Sequence, residues 1–304
     1  MFKNKRDKRA FINFLLIAPF IVLTLIFCYY PLYGWVYAFF DYRPPRPMTI
    51  ESFVGLKWFK SMVESPVKVQ QILGVLRNTF VMSGITLSTS WIPMLFAVFL
   101  NEIRNTRFRK FVQTATTLPN FIIWVLVYSI AFSLFNSTGM MNSLLMKYGV
   151  IEQPILFLQS SSHVWFVQWL WLTWKNLGWA AIMYIAAIAS IDGEMIEAAR
   201  VDGATRMQII RHITIPSLLP TYFVLLVLNV ANFLNNGMEQ YYVFQNAFNK
   251  EYIQVLDLYV YNLAMGAGGY SVSVAISMLK SLVSLVLLVV VNGLSKAIRG
   301  ESIL

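Results

Sequence analysis

The sequence predicts an all-α integral membrane domain of six transmembrane helices, with a cytoplasmic helix–turn–helix between spans four and five. Three observations predict it. Hydrophobic residues make up 58% of the 304-residue chain and charged residues only 12%, against about 25% charged in soluble domains. Apolar runs recur at the length of about 20 residues that a bilayer requires. The formal net charge of +10 sits in short basic clusters beside those runs, which is the positive-inside pattern. It forms no stripe on a soluble domain, so nucleic-acid binding is excluded.

The first run, FINFLLIAPFIVLTLIFCYY, follows the basic start MFKNKRDKRA. It is too long for a signal-peptide core, and no A-x-A-like cleavage site follows, so it is read as a retained span. The six spans lie at about 11–33, 77–100, 114–135, 165–189, 216–236 and 271–294, with a tail at 1–10 and another at 295–304. Lys3, Lys5, Arg6, Lys8 and Arg9 share one side with Arg104, Arg107, Arg109 and Lys110, with Arg200, Arg206 and Arg211, and with Lys296 and Arg299. That side is the cytoplasm, so both termini are cytoplasmic.

On the other side, 41–76 opens with the proline-rich turn DYRPPRP, which is not helical. In the following SFVGLKWFKSMV, Phe53, Leu56, Phe59 and Val63 recur at helical spacing. This predicts an amphipathic helix at the outer interface, or an ordinary connecting helix. Catalytic and metal chemistry are not visible. Cys28 is the single cysteine, and His163 and His212 are far apart, so no zinc spacing exists. The phosphate-cradling G-x-x-x-x-G-K-[ST] is absent, and no Gly precedes a Lys, so the chain holds no nucleotide site or cofactor of its own.

Between spans four and five lies the polar island EAARVDGATRMQIIRHITIP, residues 197–216. Met195, Ala198, Ala199 and Asp202 follow Glu194 with good helix propensity. Gly203 sits where a helix end favours the left-handed region. Thr205 with Gln208 three residues on makes a capping box for a second short helix, and Pro216 suits the first turn of the next span.

E-A-A, then D-G-A, then I-x-x-P-x-x-x-P resembles the EAA loop of permease subunits of ATP-binding-cassette (ABC) importers. The matching residues are Glu197, Ala198, Ala199, Asp202, Gly203, Ala204, Ile213, Pro216 and Pro220. The likeness covers the whole chain. It is closest to carbohydrate permeases of the maltose type and, through GMEQYYVF (237–244) and QVLDLYVYNLAM (254–265), to their polysaccharide branch. Gly193 departs from the pattern, because many relatives carry proline there. The resemblance implies the bacterial cytoplasmic membrane and an ion pair from Glu197 to an arginine of a separate ATPase. It also implies two alanines for close approach, and Gly203 for the turn. The implied partners are two ATPase subunits carrying ATP and Mg, a second homologous permease (a heterodimer in this branch) and an extracytoplasmic solute-binding protein. The cargo is an oligosaccharide, moved inward by alternating access. An ion-driven secondary transporter and an ABC permease for a non-sugar solute stay open as alternatives.

Polar residues inside spans mark candidate substrate contacts. In span five, Asn229, Asn232 and Asn236 fall at i, i+3, i+7 on one helical face, with Glu239 and Gln240 at its outer end. Amides suit sugar hydroxyls, though helix–helix hydrogen bonding uses asparagine equally. In span four, Gln168, Trp171 and Lys175 share a face, with Trp174 beside them. Lys175 lies near mid-bilayer and implies either a substrate contact or a structural pair with a carboxylate. Trp165 and Trp169 are read as the interfacial belt. Lys280 also lies within an apolar run, and Ser277, Ser281 and Ser284 form a packing face in span six.

Overall fold

A computed structural model of the chain describes residues 5–266 and 269–299. Lys3 and the outermost parts of both tails lie outside the described residues. Fifteen α-helices form among the described residues: α1 (Lys5–Thr24), α2 (Lys57–Ser61), α3 (Pro66–Ser88), α4 (Ile92–Asn101), α5 (Thr106–Thr117), α6 (Trp124–Phe135), α7 (Met140–Lys147), α8 (Val164–Ala189), α9 (Gly193–Val201), α10 (Arg206–Ile209), α11 (Ile215–Ala231), α12 (Glu239–Phe244), α13 (Lys250–Ile253), α14 (Leu256–Met265) and α15 (Tyr270–Arg299). Five stretches are long and apolar enough to cross a membrane alone: Phe11–Phe39, Pro66–Asn101, Trp124–Lys147, Arg206–Ala231 and Tyr270–Gly293. The remaining predicted span is α8, which qualifies only together with α9 across a bend of 70°. Gln168, Thr173, Lys175 and Asn176 make α8 polar enough to fall short by itself.

The described residues divide into two compact units, one formed by 5–65 with 262–279 and the other by 66–261 with 280–299. In the first unit, Phe11–Phe39 is apolar on every side and mostly exposed, as a lipid-facing span must be. Pro31 has no amide hydrogen, and the coil passes to a π segment at Leu25–Tyr29 and a 3₁₀ segment at Tyr30–Phe39. The predicted amphipathic helix shrinks to α2. Phe53 and Leu56 precede it, and Val63 follows it. Gly55 at φ +55° breaks the coil. Phe53 instead pairs in an antiparallel bridge with Phe40, and Trp58 Nε1 donates to Phe40 O at 2.9 Å.

In the second unit, span two begins at Pro66 rather than near residue 77. Proline suits a first turn because its missing amide is an unpaired donor there anyway. The span breaks between Ser88 and Ile92, ahead of Pro93. Its buried polar residues hold α3 in place. Asn78 Nδ2 donates to Glu251 O at 2.8 Å and Gln254 O at 3.1 Å, Thr79 Oγ1 accepts from Leu256 N at 2.8 Å, and Ser83 Oγ donates to Phe233 O.

Span three is broken too. α5 is capped by Asn105, whose Oδ1 accepts from Arg107 N and Phe108 N. It then gives way at Pro119 to a 3₁₀ turn, Leu118–Phe121, before α6 starts at Trp124. α5 and α8 cross closely at Gly178, where a Cβ would lie 2.4 Å from Thr116 backbone atoms. Span five differs from expectation at both ends. No separate second loop helix exists, because α10 continues through a π segment, Ile210–Thr214, into α11. The wider turn delivers Ile215 N to Ile210 O just ahead of Pro216, which has no amide hydrogen to donate. The C-terminal end comes at Ala231, five residues short of the predicted 236.

Candidate functional site: a solvent-facing loop and two joined cavities

The loop between α8 and α10 is built by local signals. Asp192 is the N-cap of α9, its Oδ1 accepting from Glu194 N at 3.0 Å, so the helix starts two residues before Met195. Gly203 takes φ +80°. Gly203 N donates to Arg200 O and Ala204 N to Ala199 O at 2.9 Å, the paired bonds that close a left-handed helix end. The capping box forms, with Gln208 Oε1 accepting from Thr205 N at 2.7 Å and Thr205 Oγ1 from Gln208 N at 3.4 Å. Glu197, Ala198 and Asp202 are exposed, and Ala199 and Ala204 half-buried. The Glu197 carboxylate makes no hydrogen bond or ion pair to any described residue. Val201, one helical turn on from it, and Met207 are strongly exposed.

Two cavities adjoin within the second unit. One of about 380 Å³ is lined by Thr86, Thr89, Ser90, Trp169, Thr173, Asn176, Trp179 and Asn229, among others. The other, about 190 Å³, is lined by Ser83, Thr86, Asn229, Asn232, Asn235, Asn236 and Tyr241, among others. They share Thr86, Leu172 and Asn229. No charged side chain lines either. The walls offer amides, hydroxyls and two indole rings. Asn236 Oδ1 and Tyr241 Oη are buried without a hydrogen-bond partner, and burial raises the Tyr241 phenol above its usual range. Such atoms are costly unless a hydroxyl or water meets them.

The predicted span-five residues therefore meet at a cavity, though not on one helical face. Asn229 is on α11, Asn232 caps it, and Asn236 lies in the turn beyond, its Nδ2 donating to Ser83 Oγ at 2.9 Å. Glu239 is exposed at the start of α12, and Gln240 is buried against Gln168, donating to its backbone O at 2.7 Å and its Oε1 at 2.9 Å.

The span-four set lines neither cavity. Trp171 packs edge-on to Trp174 and beside Phe135 and Phe244. Lys175, only 7% exposed, donates to Asn120 O at 2.6 Å and Pro119 O at 3.3 Å, with its Nζ 5.5 Å from the Trp124 ring centre. No carboxylate among the described residues stands within ion-pair distance of it. Carbonyls freed by the break in span three serve instead, at the negative end of the α5 dipole.

Trp165 and Trp169 are half-buried. Their indole N–H groups donate at 2.9 Å to Tyr252 O and Thr89 Oγ1. Trp169 thereby joins the wall of the larger of the two cavities. Lys280 finds an ion-pair partner in Asp257, whose other oxygen accepts from Gly237 N at 2.8 Å. On the expected serine face, Ser277 Oγ donates to Ser273 O within the helix.

Residues 90–300 match the family described as binding-protein-dependent transport system inner membrane component. The chain belongs to this family. Among its relatives is the polygalacturonan/rhamnogalacturonan transport system permease protein YteP of Bacillus subtilis (strain 168), 35% identical over all of this chain and 95% of that protein. Protein LplB of the same organism is 35% identical over 98% of this chain and 92% of its own. Among solved structures, this permease resembles a chain of a bacterial ABC transporter involved in import of the acidic polysaccharide alginate. That match has a TM-score of 0.83 and 31% identity, and covers 97% of this chain and 98% of the other. A related structure holds the alginate transporter with an alginate pentasaccharide-bound periplasmic protein, at TM-score 0.84, 30% identity and 98% coverage of both chains. The family thus places the broken spans, the loop and the uncharged cavities in a transporter subunit.

Proposed function

We propose that this permease carries an oligosaccharide, of acidic character, inward across the cytoplasmic membrane as part of an ATP-driven importer. The observation that carries this reading is full-length similarity at 30–35% identity to permeases named for polygalacturonan/rhamnogalacturonan and alginate transport. The joined cavities support it. Amide and hydroxyl groups at Thr86, Thr89, Asn176, Asn229 and Asn232 offer the donors and acceptors that sugar hydroxyls need. Their N–H and O–H groups also serve a sugar carboxylate. Trp169 and Trp179 provide flat faces for the C–H surface of a pyranose ring.

Both termini and the 190–205 loop face the cytoplasm in this reading. Glu197, with no partner among the described residues, reaches an arginine of a separate ATPase. Ala198 and Ala199 let α9 seat closely, and Asp202, Gly203 and Ala204 set the turn. ATP and Mg are bound by that partner. A second homologous permease and a solute-binding protein complete the assembly, in a bacterial cytoplasmic membrane.

The test is transport by the reconstituted complex with its cognate binding protein. Uptake of oligogalacturonide or oligomannuronate in proteoliposomes, with matched neutral oligosaccharides beside them, is the expected activity. Failure to take up any saccharide while ATP hydrolysis runs normally overturns the substrate class. Coupling is tested by Glu197→Lys, expected to leave abundance and assembly of the permease pair normal while substrate-stimulated ATP hydrolysis collapses. A normal ATPase response in that variant refutes the role of Glu197.

A further inference from the structure

A basic pocket of about 530 Å³ lies where span two ends and span five begins. Arg104, Arg109, Arg200 and Arg206 line it, with Glu102 as its only carboxylate among the described residues. Arg206 Nε stands 4.0 Å from Glu102 Oε2, the outer limit of an ion pair. The other three guanidinium groups make no hydrogen bond or ion pair to any described residue. Four like charges in one hollow repel each other unless an anion joins them, and the planar fork of arginine matches phosphate oxygens well.

A second feature adjoins it. A groove of about 350 Å³ runs between α4, α8 and α9, lined by Ala97, Leu100, Ile185 and Ile188, and shares Asn101 and Arg109 with the basic pocket. The combined hollow is therefore cationic at one end and apolar at the other, with Arg109 at the junction. It stands at the ends of two candidate membrane spans, Pro66–Asn101 and Arg206–Ala231. A free phosphate or an acidic protein segment satisfies the arginines and leaves the groove unfilled. A molecule with a phosphate and an acyl chain satisfies both.

We propose that the pocket and groove together hold one anionic phospholipid, its phosphate on the arginines and one acyl chain along the groove. Basic pockets beside membrane spans are known to take acidic headgroups. The lipid would then bridge the 102–109 turn to the loop after α9, and so help fix the angle at which that loop leaves the membrane.

The experiment uses the complete purified complex, permease pair and ATPase included, in a neutral detergent. Native mass spectrometry follows retention of added phosphatidylglycerol and phosphatidylcholine. The expected result is selective retention of phosphatidylglycerol, lowered at least tenfold by Arg104→Gln with Arg109→Gln. Arg211→Gln removes a charge from the π segment just beyond α10, outside the pocket, and should leave retention unchanged. Ala189→Trp, which fills the groove without removing a charge, should also lower it. Equal retention of both lipids, or equal loss in Arg211→Gln, overturns the proposal in favour of general attraction. Displacement by millimolar inorganic phosphate, together with indifference to Ala189→Trp, overturns it in favour of a headgroup-only anion site. If phosphatidylglycerol is not selectively retained and the paired arginine variant loses its ATPase on purification, the arginines serve a protein carboxylate and the proposal fails.

Discussion

Replacing Lys175 by methionine separates a structural lysine from a sugar-binding one. The side chain keeps its length and loses its charge. The structure lets the cost be worked out. The 2.6 Å bond to Asn120 O is a full charge-assisted hydrogen bond, worth about 1.5–3 kcal/mol. The 3.3 Å bond to Pro119 O is long and adds little. The position over Trp124 adds about 1–2 kcal/mol in a desolvated setting. Against these stands the cost of keeping a charge at the centre of a span, about 2.5–3.5 kcal/mol, which methionine removes. The balance is centred on a net loss of about 1 kcal/mol. Lys175→Met should therefore assemble, with its thermal midpoint lowered by a few degrees. Uptake of acidic and neutral oligosaccharides should fall together, because the lesion is the loosened break in span three and not a lost sugar contact. Lys175→Glu should prevent assembly, since a carboxylate then faces two carbonyl oxygens. The assay pairs proteoliposome uptake of matched neutral and acidic substrates with a melting curve of the purified complex. Selective loss of acidic uptake with an unchanged melting curve would refute the reasoning and return Lys175 to the sugar.

Three further outcomes follow from the geometry. Gly178→Ala should lower the melting point clearly, because its Cβ would stand 2.4 Å from the Thr116 backbone and overpacking costs about 1–3 kcal/mol; a wild-type melting curve would show that α5 is not held there. Lys280→Met should destabilise by about 3–5 kcal/mol by leaving the half-buried Asp257 carboxylate with only the Gly237 amide. Adding Asp257→Asn should restore part of it, and failure of the double variant to recover any yield counts against the pair. Gly203→Val should destabilise the loop, since a β-branched residue resists φ +80° at a cost of about 1–3 kcal/mol; it is expected to lower coupled ATP hydrolysis while the spans still insert, and full coupling would contradict the turn.

The parts of the molecule that could be read from the sequence are those written in neighbouring residues. The Gly203 turn and the Thr205–Gln208 box are complete within a few positions, and both form as their chemistry demands. Span existence was legible for the same reason, since hydropathy is a sum over adjacent residues. Boundaries were not, because they depend on where proline and asparagine stop a coil that hydropathy would continue. Asn232, Asn235, Asn236 and Gly237 are a turn cluster, and that signal was available to end span five at Ala231. Pro119 likewise marked the break in span three.

The misplaced contacts in span four have a simpler geometry. On an α-helix one residue is a rotation of about 100°, since 3.6 residues make a turn. The face through Gln168, Trp171 and Lys175 is one register position from the face through Trp169, Thr173 and Asn176. The second set lines the larger cavity, and the first turns to the Gln240 amide and to the carbonyls of the broken span. The sequence shows two polar faces on one helix. Only the partner decides which is wall and which is brace, and the partner of Lys175 lies 55 residues away in carbonyl oxygens that every residue type carries alike. A charged residue draws attention because its burial is costly, yet that same cost is what recruits it as a brace. The wall facing the cavities is left to uncharged amides, hydroxyls and indoles, which can hold a sugar and release it.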